Sequence, residues 1–206
     1  AGELATFFRD ECGIACDVTV IEMQGWSRSM FFDETGLPWI QPSPNMPTVD
    51  TALVYPGMCF FQGTLLSEGR GCTRPFETVG APHVDGAAWA SETSSELAAA
   101  GYSGFGLRPL VFQPTFHKHA GIACGGIQIH VSDAEAFRPV MVATALLKSA
   151  WRLWPDEVQW RTERYEYVSE PIAIDLLGGG PTLRKEVEED VPLATIQDRW
   201  DDEVQP

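Results

Sequence analysis

Apolar residues recur along this chain with two periods, which divide it into a helix–strand opening, a long aperiodic stretch and a mixed second part. Leu4, Phe7 and Phe8 keep helical spacing over residues 2–12. Residues 17–23 (DVTVIEM) alternate β-branched and polar side chains, which predicts a strand. A helix entering a strand reads as the tail of an α/β layered domain. Residues 24–47 then lose periodicity, with Gly25, Gly36, Pro38, Pro42, Pro44 and Pro47 breaking any run. A loop of this length inside a domain is functional or disordered. Trp26, Phe31, Phe32 and Trp39 argue for order, because disordered segments are poor in aromatics.

Beyond the loop, Thr48 is placed to cap a helix running to residue 55, which Pro56-Gly57 interrupts. A glycine-rich stretch follows, then a short strand over 75–79, and a domain boundary is expected near Gly80-Ala81-Pro82. The second part predicts a helix over 86–100. A strand over 107–115 follows, confined to an edge or an irregular path by Pro109 and Pro114. The sharpest alternation is the strand over 126–131 (GIQIHV). Ser132 caps a helix expected over 133–154, with Phe137, Val140, Ala143, Leu147, Ala150 and Trp154 on one face and Pro155 as its stop. Short elements are expected over 158–161 (strand) and 172–177 (helix), with one or two helices over 183–200.

Composition narrows the function classes. The chain has 206 residues, 44% of them hydrophobic, and a formal net charge of −15. That charge repels phosphate backbones and argues against nucleic-acid binding. No run reaches the ~18 apolar residues of a membrane span. Acidic residues crowd the end from Glu186 to Glu203, a solvated face to which no role attaches. The five cysteines are oddly counted and irregularly spaced, so no disulfide framework is expected. The chain opens on Ala1 with no leader pattern, as expected of a piece of a longer architecture.

Candidate chemistry gathers in a few places. In Ser67-Glu68-Gly69-Arg70-Gly71 the glycines allow a left-handed turn or a close approach to a ligand. Glu68 has the chemistry of an acid, a base or an acceptor, and Arg70 that of a carboxylate fork; a surface turn with an internal Glu–Arg pair is the equal alternative. Asn45 sits between prolines and offers either a sugar-binding amide or a plain turn. Trp26, Arg28 and Trp39 share the long loop with Asp33 and Glu34, as a carbohydrate platform or as a loop folded on its own cluster. His117, His119, Cys124 and His130 lack ligand spacing and have Lys118 among them, so no metal is expected. His130, on its strand, reads as a core or interface histidine. No cofactor motif is present: there is neither a G-x-S-x-G elbow nor a GxxxxGK[ST] loop.

Several longer segments together carry a resemblance: Gly25-Trp26-x-Arg28, residues 32–39 (FDETGLPW), Ser43-Pro44-Asn45-Met46-Pro47, residues 51–57 (TALVYPG), Ser67 to Gly71, Pro75-Phe76-Glu77, Phe112-x-Pro114-x-Phe116, residues 124–131, Phe137-Arg138-Pro139 and Ile174-Asp175-Leu176-Leu177. This set resembles the C-terminal half of the NamZ-type exo-β-N-acetylmuramidases, once a family of unknown function. The resemblance implies the α/β tail of a Rossmann-like domain over 1–80, followed by a smaller α+β domain over 81–206, with a cleft between the two domains. It implies removal of terminal N-acetylmuramic acid from peptidoglycan fragments, with Glu68 as the catalytic or supporting carboxylate, Asn45, Arg70 and Arg28 as substrate contacts, and Trp26 and Trp39 as cleft walls. It implies no cofactor, a peptidoglycan-derived sugar and the rest of the N-terminal domain as partners, and an extracytoplasmic site. Two departures stand out. The family's Glu-His-Gly segment does not occur here, and its usual Glu-Gly-Thr-Asn is Gln62-Gly63-Thr64-Leu65. They leave a second function open, a glycan-binding module without catalysis.

Overall fold

A computed structural model describes residues 1–203. It divides into two compact units, 1–38 and the residues from Trp39 onward. The first holds helix α1 (Gly2–Asp10), none of whose residues is buried, and a short 3₁₀ turn (Phe32–Thr35). The strand expected over 17–23 does not form: these residues pair with no strand among the described residues, and Ile21 is 91% exposed. Alternation alone makes no strand without a neighbouring edge to bond.

The second unit carries the core. Its sheet is three-stranded and antiparallel, with β3 (Cys124–Val131) between β1 (Thr78–Ala81) and β2 (Phe105–Phe112). Pro109 is tolerated because β2 is an edge strand. Gly80 pairs with Gly126 inside this sheet.

Helices cover the sheet. Helix α2 (Val49–Met58) starts at Thr48, whose hydroxyl accepts from the Thr51 N–H at 3.2 Å. It runs straight through Pro56-Gly57 and passes into a 3₁₀ turn (Cys59–Gly63) instead of breaking. Helix α3 (Gly86–Ala99) is capped by Asp85, which accepts from Ala87 N and Ala88 N. Helix α4 (Pro139–Leu153) begins later than its apolar spacing suggests. Asp133 spends its carboxylate on a separate turn, accepting from Glu135 N and Ala136 N. Pro139 then takes the first helical position, where its missing N–H costs nothing. Residues 141–150 of α4 are all buried, and Trp89 of α3 packs on them, its indole N–H donating to Ser149 Oγ at 3.0 Å.

Helices α5 (Ala173–Leu177), α6 (Thr182–Glu188) and α7 (Leu193–Glu203) close the unit. Residues 158–161 contribute only a bridge, Thr64 to Trp160. His130 lies on the exposed side of β3 and accepts from Arg108 Nε at 3.2 Å, so it is not a core residue. Among the described residues, no helix is long and apolar enough to cross a membrane.

Candidate functional site

The stretch from Gln62 to Gly71 leaves α2's 3₁₀ extension and bonds to β1 through Ser67, whose N–H and C=O pair with Gly80. Gly69 and Gly71 take φ of +76° and +85°, conformations that side chains resist. A Cβ on Gly69 would meet Thr78 O at 2.7 Å, and one on Gly71 would meet Phe116 N at 2.7 Å. This local geometry turns Glu68 inward and Arg70 outward.

Glu68 has no solvent exposure. Its Oε1 accepts from Arg70 Nε at 2.9 Å and its Oε2 from Lys118 Nζ at 2.8 Å. Lys118 spends its remaining donors on Phe61 O (2.8 Å) and Leu66 O (3.0 Å), so the ammonium is fully satisfied. His117 and His119 both adopt positive φ, and the turn they make aims Lys118 at Glu68. His117 Nδ1 stands 3.5 Å from Glu68 Oε1. Arg70 reaches on to Gln62 Oε1 at 3.0 Å, which also accepts from the Tyr165 hydroxyl at 3.3 Å. The Arg70 guanidinium lies 5.1 Å from the Phe76 ring centroid. Phe76 is held at φ +63° and packs edge-on to Tyr55.

Opposing effects set the charges here. Burial pushes the Glu68 carboxyl up, but Lys118, through its charge and its hydrogen bond, and His117 outweigh it. The result lies below the ordinary carboxylate range. Burial pushes the His117 imidazole down; Glu68 raises it, while Lys118, Arg70 and Arg161 lower it further. The ring is therefore uncharged at neutral pH, and its contact with Glu68 is polar rather than ionic. Burial likewise lowers Lys118, partly offset by Glu68. The cluster is an ionised carboxylate ringed by more cationic than anionic groups, with Arg70 and His117 turned toward solvent at 24% and 38% side-chain exposure.

His117 was legible only as a poor metal ligand and Lys118 only as a neighbour that disfavours metal, because fifty positions separate Lys118 from Glu68 and local spacing carries no sign of the pair. The Glu68–Arg70 pair itself forms, around a buried carboxylate rather than in a surface turn.

Of the other expected site residues, Asn45 and Gly71 line one groove of about 580 Å³, together with Phe112, Gln113 and Phe116. Trp39 donates from its indole to Met46 O at 3.3 Å, beside Asn45. Trp26 and Arg28 belong to the 1–38 unit. There they border a groove of about 620 Å³, with Arg28 paired to Glu3 at 2.5 Å. A second buried carboxylate, Glu77, accepts from the Thr51 and Thr48 hydroxyls at 2.7 and 3.3 Å and anchors the start of α2.

Residues 53–206 match the family model for the C-terminal domain of the exo-β-N-acetylmuramidase NamZ, and residues 1–50 match the model for its N-terminal domain. The chain is 36% identical over 204 residues to the peptidoglycan β-N-acetylmuramidase NamZ of Bacillus subtilis (strain 168), covering 99% of this chain and 46% of that protein. Two crystal structures of DUF1343 family proteins from Bacteroides fragilis NCTC 9343 share its fold. One has a TM-score of 0.74 at 25% identity, covering 93% of this chain and 48% of its own; the other scores 0.66 at 24% identity, covering 98% and 51%. The chain thus spans about half the length of the relatives it matches. It belongs to the NamZ exo-β-N-acetylmuramidase family.

Proposed function

We propose that this chain supplies the C-terminal part of a glycosidase site that removes terminal N-acetylmuramic acid from peptidoglycan fragments. The observation that carries this reading is the Glu68 cluster, a local excess of cations in a chain of net charge −15. N-acetylmuramic acid bears a lactyl carboxylate, and a guanidinium oriented from behind by a buried anion is suited to grip it. Glu68 acts as the supporting carboxylate: both its oxygens are occupied, and its charge orients Arg70 and Lys118. Arg70 contacts the sugar, and Asn45 and Trp39 shape the approach. Trp26 and Arg28 lie in the stretch over 1–50 that matches the NamZ N-terminal domain. Glycosidases commonly work with two carboxyl groups across the scissile bond, so the partner carboxylate comes from the family's N-terminal domain, which also makes that domain the expected partner.

The test is release of N-acetylmuramic acid from a chromogenic β-muramide, by the chain alone and by the chain joined to a relative's complete N-terminal domain. Activity in the joined form, lowered about 100-fold or more by Glu68→Gln, is the expected result. Unchanged kinetics in that variant would remove Glu68 from the site.

One observation favours a second reading, a glycan-binding module without catalysis. Gln62 stands where the family usually has a glutamate, and its amide oxygen is already engaged by Arg70 and Tyr165. Sugar binding without turnover in the joined form would select it.

A further inference from the structure

Two cysteines far apart in the chain share one face of the sheet. Cys124 opens β3 opposite Phe112 of β2, and directly opposed residues of an antiparallel pair put their side chains on the same face. Gly126, two residues on, shares that face, and a Cβ there would lie 3.0 Å from the Phe112 ring. Cys124 is therefore a neighbour of this ring, and it has no solvent exposure. Cys72 reaches the ring from another direction. The chain leaves the β1 edge at Ser67, which bonds to Gly80, and Gly71 O accepts from Thr115 N at 3.0 Å just past the end of β2. The segment between crosses the Phe112 side of the sheet, where Gly71, Cys72 and Phe112 line one groove.

Neither thiol is committed elsewhere. Cys124 Sγ makes a long contact to Ile122 O at 3.5 Å, and the half-buried Cys72 makes no hydrogen bond through its sulfur among the described residues. Cys59, by contrast, donates to Pro56 O at 3.4 Å from the 3₁₀ turn after α2. Burial raises the Cys124 thiol above its usual range, and the nearby Cys72 raises it further; burial raises Cys72 as well. The two sulfurs are thus within reach of each other's charge.

We propose that Cys72 and Cys124 form a reversible disulfide that staples the Arg70 turn to the first residue of β3, closed in an oxidising compartment and open in a reducing one. The proposal is independent of what Arg70 binds. A low-molecular-weight disulfide such as oxidised glutathione supplies the oxidant. Cys72, the more accessible thiol, loses its proton and its sulfur attacks one sulfur of the oxidant. The oxidant's S–S bond breaks, a mixed disulfide forms on Cys72, and one glutathione leaves with that proton. Cys124 then loses its proton and attacks Cys72 Sγ. The Cys72–Cys124 bond forms, and the second glutathione leaves with the second proton. Two protein thiols are oxidised, and one glutathione disulfide is reduced to two thiols. Because burial keeps both thiolates scarce, closure should speed up about tenfold for each pH unit below the thiol pKa.

The test uses the chain carrying Cys12→Ser and Cys16→Ser, which removes the two exposed thiols. It is incubated with oxidised glutathione, alkylated in denaturant, digested and read by mass spectrometry. The expected product is two hydrogens lighter than the reduced chain, with the Cys72 and Cys124 peptides joined and Cys59 alkylated. Cys124→Ala should stop at a glutathione adduct on Cys72, and Cys72→Ser should give neither the bond nor an adduct on Cys124. The amides of Cys72 and Thr115, which donate to Gly69 O and Gly71 O, should exchange hydrogen about tenfold more slowly in the oxidised chain and recover on reduction. A folded chain that stops at the Cys72 adduct, or that joins either cysteine to Cys59, overturns the pair. A Cys72–Cys124 link that leaves both amides exchanging as before overturns the staple.

Discussion

Glu68 and Lys118 meet at 2.8 Å with no exposure on the carboxylate and little on the ammonium. Such a pair is held by geometry: removing one partner leaves a charge in a medium that cannot solvate it. Lys118→Met should therefore cost about 3–5 kcal/mol in chemical denaturation, although methionine fills much the same space. Acid should weaken the fold in two stages. The imidazole of His117 binds its proton less readily folded than unfolded, so its contribution falls as pH drops below the ordinary histidine range. The Glu68 carboxyl is also depressed in the fold. Its contribution is present above the ordinary carboxylate pKa and is lost as pH falls through the lower folded value. His117→Asn should flatten the first stage and leave the second, as read from the midpoint of urea unfolding against pH. At this scale the sequence was half legible. Glu68 and Arg70 are two positions apart and could be read as a pair, whereas Lys118 reaches Glu68, and Tyr165 reaches Gln62, from distant segments that no local pattern connects.

Among the elements, α2 and α4 are pressed together at Gly57. A Cβ there would lie 2.0 Å from Pro139 O and 2.8 Å from the Ala143 side chain. Gly57→Ala usually favours a helix, but here the two backbones would have to separate. The expected outcome is a loss of about 1–3 kcal/mol, seen as a lower Tm, instead of the usual gain. The same position explains why the helix continues past Pro56. Pro56-Gly57 looks like a helix end, yet glycine serves contact with α4, and the chain tightens into a 3₁₀ turn only after Met58. Elements with their own caps or alternation were plain in the sequence: α2 through Thr48, α3 between residues 86 and 99, and β3 at the sheet's centre. Residues 17–23 were not, because alternation reports a half-buried environment and no neighbouring strand supplies one among the described residues. The start of α4 was misplaced because Ser132 and Asp133 imitate a cap, while Pro139 is compatible with a helix only in its first turn.

Over the whole molecule, a chain of net charge −15 keeps most of its cations in ion pairs and concentrates an excess of them around one buried carboxylate. The family segments were readable because they cluster at special backbone positions, Gly69, Gly71 and Phe76 among them, where few side chains fit. Their three-dimensional sense, a buried charge behind a half-buried guanidinium and a neutral aromatic groove alongside, was not, since it depends on segments brought together by the sheet. On the proposed function, Arg70 recognises a carboxylated sugar. The most direct test is titration of this chain with N-acetylmuramic acid beside N-acetylglucosamine, which has the same ring without the lactyl carboxylate. A preference of about tenfold or more for the acid, weakening as salt rises and abolished by Arg70→Ala, is the predicted result. Equal affinity for the two sugars, or a preference that survives Arg70→Ala, would contradict it.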